Sequence, residues 1–217
     1  MAWKLPFPSD KITSRFGSRS RYRIANNLGP HRGVDWAPGS GKIIPAVTSG
    51  TVKMIKWSSV LGWVMVQTGW AEGKTWYVGY CHLSCAQHGA YCKGPKQHRD
   101  GSTCMKSLKV GDRVEMGQPV GRVGSTGSAS SGPHLHATLS RSLKGVFYGK
   151  VYDLFAHIKK WEKDDSLPKS RVDGKLDEND WARLQSWLAK EWGYDGPVDG
   201  VPGKFTYKAL ERFANSL

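Results

Sequence analysis

Long apolar runs are absent from this 217-residue chain. No stretch approaches the ~20 consecutive apolar residues that a membrane-spanning helix needs, so no such helix is expected. The opening Met1-Ala2-Trp3-Lys4-Leu5-Pro6-Phe7-Pro8 holds no apolar core segment, so no secretory signal is expected either. On that reading the chain is made as a soluble cytoplasmic product. Acidic residues are scarce in the first three-quarters of the chain. Residues 1–160 carry 23 Lys and Arg against 7 Asp and Glu, a net of +16, whereas residues 161–217 carry 9 against 11, a net of −2. The shift divides the chain in two. It also suits the first part to a polyanionic partner, either nucleic acid or an anionic cell wall. Hydrophobic residues make up 39%, enough to build a core in a medium domain plus a small one.

Helical periods are missing from residues 43–80. Ile43–Val47, Gly50–Ile55, Trp63–Thr68 and Thr75–Tyr80 read instead as consecutive β-branched and aromatic strands. Ile12–Gly17 adds a short strand and turn, and Val110–Val114 and Gly117–Val123 two more short strands. Spacing this close predicts an antiparallel, mainly β domain.

The chain is organised around Gly124-Ser125-Thr126-Gly127-Ser128-Ala129-Ser130-Ser131-Gly132-Pro133-His134-Leu135-His136. Small residues let backbone pass close to a ligand. Pro133 cannot continue a helix and biases Gly132 towards extended backbone. His134 to Leu139 reads as a strand, so His134 and His136 share one face while Leu135 points into a core. Two neutral imidazoles side by side suit a metal ligand and a second catalytic group. His31-Arg32-Gly33-Val34-Asp35 offers nitrogen and carboxylate donors of the kind zinc takes, on a segment that glycine makes unsuited to a helix. His82 sits at the end of the strand that runs through Tyr80-Cys81. Cys81 should face the opposite way and take no catalytic part.

Cysteines number only four, and three of them (Cys85, Cys92, Cys104) lie in residues 84–106, which read as a loop insertion. Disulfides, a structural zinc site and free thiols all remain open for them. Residues 159–171 are charged, contain Pro168 and read as a linker. Residues 172–217 form a small all-α domain. Trp181, Leu184, Trp187, Leu188 and Trp192 recur at helical spacing, Gly193 ends that helix, and Thr206 caps a last one. Its three tryptophans are expected in the core, an exposed one being free to bind sugar.

Taken together, His31-x-x-x-Asp35, Tyr80-Cys81-His82-Leu83 and Gly124-x-Thr126-Gly127…Gly132-Pro133-His134-Leu135-His136 resemble the lysostaphin-type zinc metalloendopeptidases of bacterial cell walls. The resemblance covers about residues 10–155. It implies a β-rich fold with a groove, Zn2+ held by His31, Asp35 and His136, and His82 and His134 as catalytic histidines. Three protein ligands leave a position for water, the mark of a catalytic site. The 84–106 insertion departs from the pattern and bears on one groove wall. The tail, through Leu184-Gln185-x-x-Leu188 and Val198-Asp199-Gly200, resembles small helical peptidoglycan-binding domains.

The expected organisation is therefore a catalytic domain over 1–158, a linker over 159–171 and a wall-binding domain over 172–217. The expected protein is a monomeric bacteriophage endolysin. It accumulates in the host cytoplasm, passes a holin pore and meets peptidoglycan and anionic wall polymers, with no nucleic-acid partner. The nearest rival is a zinc-dependent amidase cutting between sugar and peptide. A non-catalytic wall-binding protein with a degenerate peptidase fold is a second, weakened because all five site positions are filled. The charge alone would suit a nucleic-acid binder, but the basic residues are scattered and form no recognised binding motif.

Overall fold

The computed structural model describes residues 3–25, 27–85, 88–95, 108–163 and 178–216, apart from the side chains of Tyr22, Glu162, Lys163 and Asn179. The chain separates into two compact units, residues 2–69 with 76–163 and residues 1 and 70–75 with 164–217. Among the described residues no helix is long and apolar enough to cross a membrane.

The larger unit is built on antiparallel strands: β1 (Ile12–Ser14), β2 (Val34–Trp36), β3 (Ile43–Pro45), β4 (Gly50–Ser58), β5 (Gly62–Ala71), β6 (Lys74–Leu83), β7 (Arg113–Val114), β8 (Pro119–Arg122), β9 (Leu135–Ser140) and β10 (Val151–Tyr152). The main sheet runs β1-β2-β9-β6-β5-β4-β7, with β10 also on β9, while β3 and β8 form a separate ribbon. The mainly β, antiparallel expectation is met.

Burial follows the sequence pattern. β9 is buried at every residue and β5 at nearly all, which fits their central places in the sheet. Trp36, Met65, Tyr80, Leu83, Leu135 and Leu139 are fully buried and anchor the core. Tyr80 carries a hydroxyl into it, and that hydroxyl is satisfied: it donates to Gln67 Oε1 at 3.1 Å and accepts from the Val47 N–H at 3.0 Å. An unpaired buried hydroxyl would cost about 1–3 kcal/mol.

Besides the short helix α1 (Arg21–Ala25), the unit has the longer helix α2 (Leu154–Lys163). The helix occupies residues 159–163, which the sequence reading gives to a linker; residues 164–171 lie outside the described residues. Leu154, Ile158 and Trp161, four and three apart, form its buried face. Trp161 lies 4.5 Å from the Trp3 ring and 5.3 Å from the Trp76 ring.

In the smaller unit the helices are α3 (Glu178–Glu191) and α4 (Lys204–Ala214). Gly193, at φ +62°, ends α3, and the Tyr194 N–H returns to the Leu188 carbonyl at 3.1 Å. Thr206 lies inside α4 rather than before it: Gly203 is the N-cap, and the Thr206 hydroxyl accepts its N–H at 3.4 Å. Leu188, Tyr194 and Ala209 are the buried centre. Trp187 is 39% exposed, against the expectation that all three tryptophans are core, and packs edge-on to Phe213 at 5.1 Å.

Gln185 is fully buried between the two helices. Its Oε1 accepts the N–H groups of Asp199 and Gly200 at 3.0 and 2.9 Å, and its Nε2 donates to the Val201 carbonyl at 2.9 Å and to Thr206 Oγ1 at 3.2 Å. One amide thus ties the Asp199–Val201 end of the connection to both α3 and α4.

Candidate metal centre

The sheet order sets the site. β2 lies beside β9, and Asp35 is the direct register partner of His136. Val34 and Trp36 are fully buried, so alternation turns Asp35 to the other face, where His136 also stands. Their side chains meet at 2.8 Å, His136 Nδ1 to Asp35 Oδ1.

His31 arrives just before β2. Its backbone is tied to the strand-turn of residues 12–18, with the His31 N–H on the Ser18 carbonyl and the Gly17 N–H on the His31 carbonyl. Its ring Nδ1 lies 3.0 Å from the Arg15 carbonyl, to which it donates, and 3.0 Å from Ser14 Oγ. That bond leaves the Nε2 lone pair directed inward. Nε2 is 3.2 Å from Asp35 Oδ1 and 3.1 Å from His136 Nδ1.

Gly33 explains the spacing between His31 and Asp35. A Cβ there would sit 2.5 Å from the Ala137 carbonyl oxygen and 2.7 Å from His136 Cε1. Only glycine lets the β2 entry pass over the His136 ring, a requirement that sequence reading did not assign.

His82 comes from β6, on the other side of β9, where Cys81 pairs with His136. Its backbone takes φ +58°, unusual for a residue with a side chain, and such strain is typical of functional positions. Its Nδ1 donates to the Thr126 carbonyl at 2.7 Å. Thr126 in turn is fixed by its own hydroxyl, which accepts the Trp63 N–H at 3.0 Å and donates to the Leu83 carbonyl at 2.9 Å. The Gly124–Ser131 loop therefore does more than make room, since its threonine aims His82.

His134 pairs through the isolated bridge Gly124↔His134. Its Nδ1 donates to the Gly132 carbonyl at 2.8 Å, and its Nε2 lies 3.8 Å from Asp35 Oδ1. The His82 and His134 rings are 4.7 Å apart, and those of His82 and His136 are 6.0 Å apart.

All five residues singled out in the sequence converge. Cys81 does not: it packs with Val64, Val66 and Val146, and burial pushes its thiol well above the usual range. Of the insertion, Cys85 and Cys92 are buried, and Cys104 lies outside the described residues.

Electrostatics separate the roles within the cluster. Burial works against the Asp35 charge, yet the His136 and His31 rings beside it hold its carboxyl well below the usual carboxylate range. Burial first, then the neighbouring His134 and His136, push His82 down to about 3. Burial also lowers His136, against the pull of Asp35. Asp35 is thus held as a carboxylate, and His82 and His136 are held towards the neutral form in which an imidazole binds metal.

The donor set fits a divalent metal such as zinc. His31, Asp35 and His136 present their ligand atoms within 4.8 Å of one another. Two imidazoles and one carboxylate make a three-residue zinc set, and the Arg15 carbonyl behind His31 is the kind of outer partner that orients a ligand ring. The cluster opens into a cleft of about 620 Å³, whose walls include Trp57, Phe147 and Tyr148. Gly94, from the insertion, lies against the Trp57 indole so closely that a Cβ would come within 2.7 Å of it. The insertion therefore backs a cleft wall.

Comparison with known proteins finds similarity to one group of peptidases. The Peptidase family M23 model matches residues 100–147, which include His134 and His136. The chain is 26% identical over 132 residues to the peptidoglycan DD-endopeptidase ShyC of Vibrio cholerae, covering 60% of this chain and 25% of that protein. It is 32% identical over 117 residues to lysostaphin of Staphylococcus simulans, covering 53% of this chain and 19% of that protein. The chain thus spans a quarter or less of the length of these two relatives. Among solved structures it resembles LytU, with 27% identity and a TM-score of 0.51 over 76% of this chain and 95% of that one. The fold is that of lysostaphin-type peptidases, and the similarities support a place in peptidase family M23.

Proposed function

We propose that this chain is a zinc-dependent endopeptidase that hydrolyses peptide bonds in the stem peptides or cross-bridges of bacterial peptidoglycan. The observation that carries the reading is the convergence of His31, Asp35 and His136 on one point, with His82 and His134 beside it and an open cleft in front.

His31, Asp35 and His136 would hold the metal. Zinc, when bound, polarises a substrate carbonyl and acidifies water. The remaining work falls to the two other histidines. Each has its Nδ1–H engaged by a backbone carbonyl, Thr126 for His82 and Gly132 for His134, so each offers Nε2 to the reaction. A neutral Nε2 accepts a proton as general base, and once protonated it donates to the charge developing on the carbonyl oxygen. Preset rings avoid reorganisation during the reaction.

The tail, α3 and α4, is proposed to bind the wall, in keeping with its pattern and the exposed Trp187. With a wall-cutting unit, this suits a phage endolysin made in the host cytoplasm. Co-expression with and without a holin tests that placement, because lysis should require the pore.

The direct test is digestion of purified peptidoglycan with and without a zinc chelator, with the released ends identified by mass spectrometry. New peptide amino termini that vanish with the chelator are expected. Whole stem peptides released by cleavage of the amide to the lactyl group would indicate an amidase, and binding without release would overturn the enzymatic reading.

A further inference from the structure

The cleft is lined by three cations, Arg23, Arg32 and Lys56, and by one carboxylate, Asp35, which is already committed to His31 and His136. The cations are held in place, but not by acids. Arg23 Nε donates to the Gly29 carbonyl at 2.8 Å, with Nη2 3.4 Å from the Pro30 carbonyl. Arg32 Nη2 donates to the Gly149 carbonyl at 2.6 Å. Lys56 Nζ lies 4.7 Å from the centre of the Phe147 ring. Among the described residues none of the three makes a salt bridge.

A carbonyl or a ring face orients a cation without cancelling its charge. Guanidinium groups fixed this way keep other N–H donors for a planar anion, and a carboxylate is the group they fit best. Low-dielectric walls of aromatic residues strengthen the field inside a cleft. We propose that Arg23, Arg32 and Lys56 read carboxylates of the substrate, so that the cleft selects acidic peptides over neutral ones such as glycine bridges. The selection rests on the peptidase reading for its role, but binding measures it independently of hydrolysis.

The test uses the full chain and a pair of dye-labelled synthetic stem peptides. They are identical except that the carboxylates of one are converted to carboxamides. Fluorescence anisotropy gives affinity, and mass spectrometry gives cleavage. The acidic peptide is expected to bind about tenfold more tightly, with the advantage shrinking as salt rises. Arg32→Gln and Lys56→Gln should each narrow that ratio and Arg32→Lys, which keeps the charge but not the planar fork, should narrow it less than Arg32→Gln, while Lys53→Gln, on an exposed β4 position away from the cleft, should leave it unchanged. Equal affinity for both peptides, or a ratio untouched by Arg32→Gln, would overturn the selection. A binding preference without cleavage of either peptide would leave the selection standing and sink the peptidase reading instead.

Discussion

Each of the two units buries a polar knot, and the two knots are built to opposite ends. In the smaller unit Gln185 meets the Asp199, Gly200, Val201 and Thr206 groups around it, and both ends of its amide are satisfied. In the larger unit His31, Asp35 and His136 crowd their donor atoms together, with His82 and His134 offering further ring nitrogens at a cleft. A knot that completes itself holds a loop. A knot that leaves lone pairs facing open space is prepared for something that is not protein. The distinction separates structural from functional polar clusters better than burial does, since both are largely buried.

Replacing a residue in each knot should sharpen that contrast. The largest effect is expected from His136→Ala, which removes a metal donor: zinc content by atomic absorption should fall to background and peptidoglycan hydrolysis by roughly 10⁴-fold or more. His134→Ala should keep the metal and lose about 10²–10⁴ in rate. If His134→Ala also empties the site, the division between ligands and catalytic histidines is wrong. Gln185→Ala should act only on stability, costing the helical unit about 3 kcal/mol in urea unfolding, because polar groups of four residues lose a partner, Gly200 and Thr206 among them in buried positions. Cleavage of a short soluble peptide should be unchanged.

The smallest effect is on acid stability. His82 and His136 both have folded-state values below that of a free histidine, so below about pH 6.5 the unfolded chain takes up protons that the folded one refuses. Stability of the chelator-treated protein should therefore fall with pH, by about 2 kcal/mol between pH 7 and pH 5 from His82 alone, with His136 acting in the same direction. The Asp35 shift acts in the same direction at lower pH. Thermal melts of the metal-free protein across that range check the sign, and a flat profile would mean that these imidazoles are not held neutral.

Sequence reading located the strands because runs of β-branched and aromatic residues between turns are a local signal, and it located the five chemical residues because their types and order are distinctive. It could not see that β2 lies beside β9, since that pairing joins distant segments. Thr126 and Gly33 escaped for a related reason. One acts through its backbone carbonyl and the other through an atom it lacks, and neither leaves a chemical signature in the chain. Helix α2 was legible in Leu154, Ile158 and Trp161, but the charges between them read as linker. The cations of the cleft were visible only as net charge until the fold showed which three face the site.

The register pair Asp35 and His136 also has a consequence for timing. The two residues are 101 positions apart, yet each is the other's immediate neighbour across the sheet. A ribosome that has released only the first hundred residues has made His31, Asp35 and His82 but no working centre. On the proposed function, complete metal binding would wait for β9 to take its place between β2 and β6, so a chain that ends before β9 would lack a working centre.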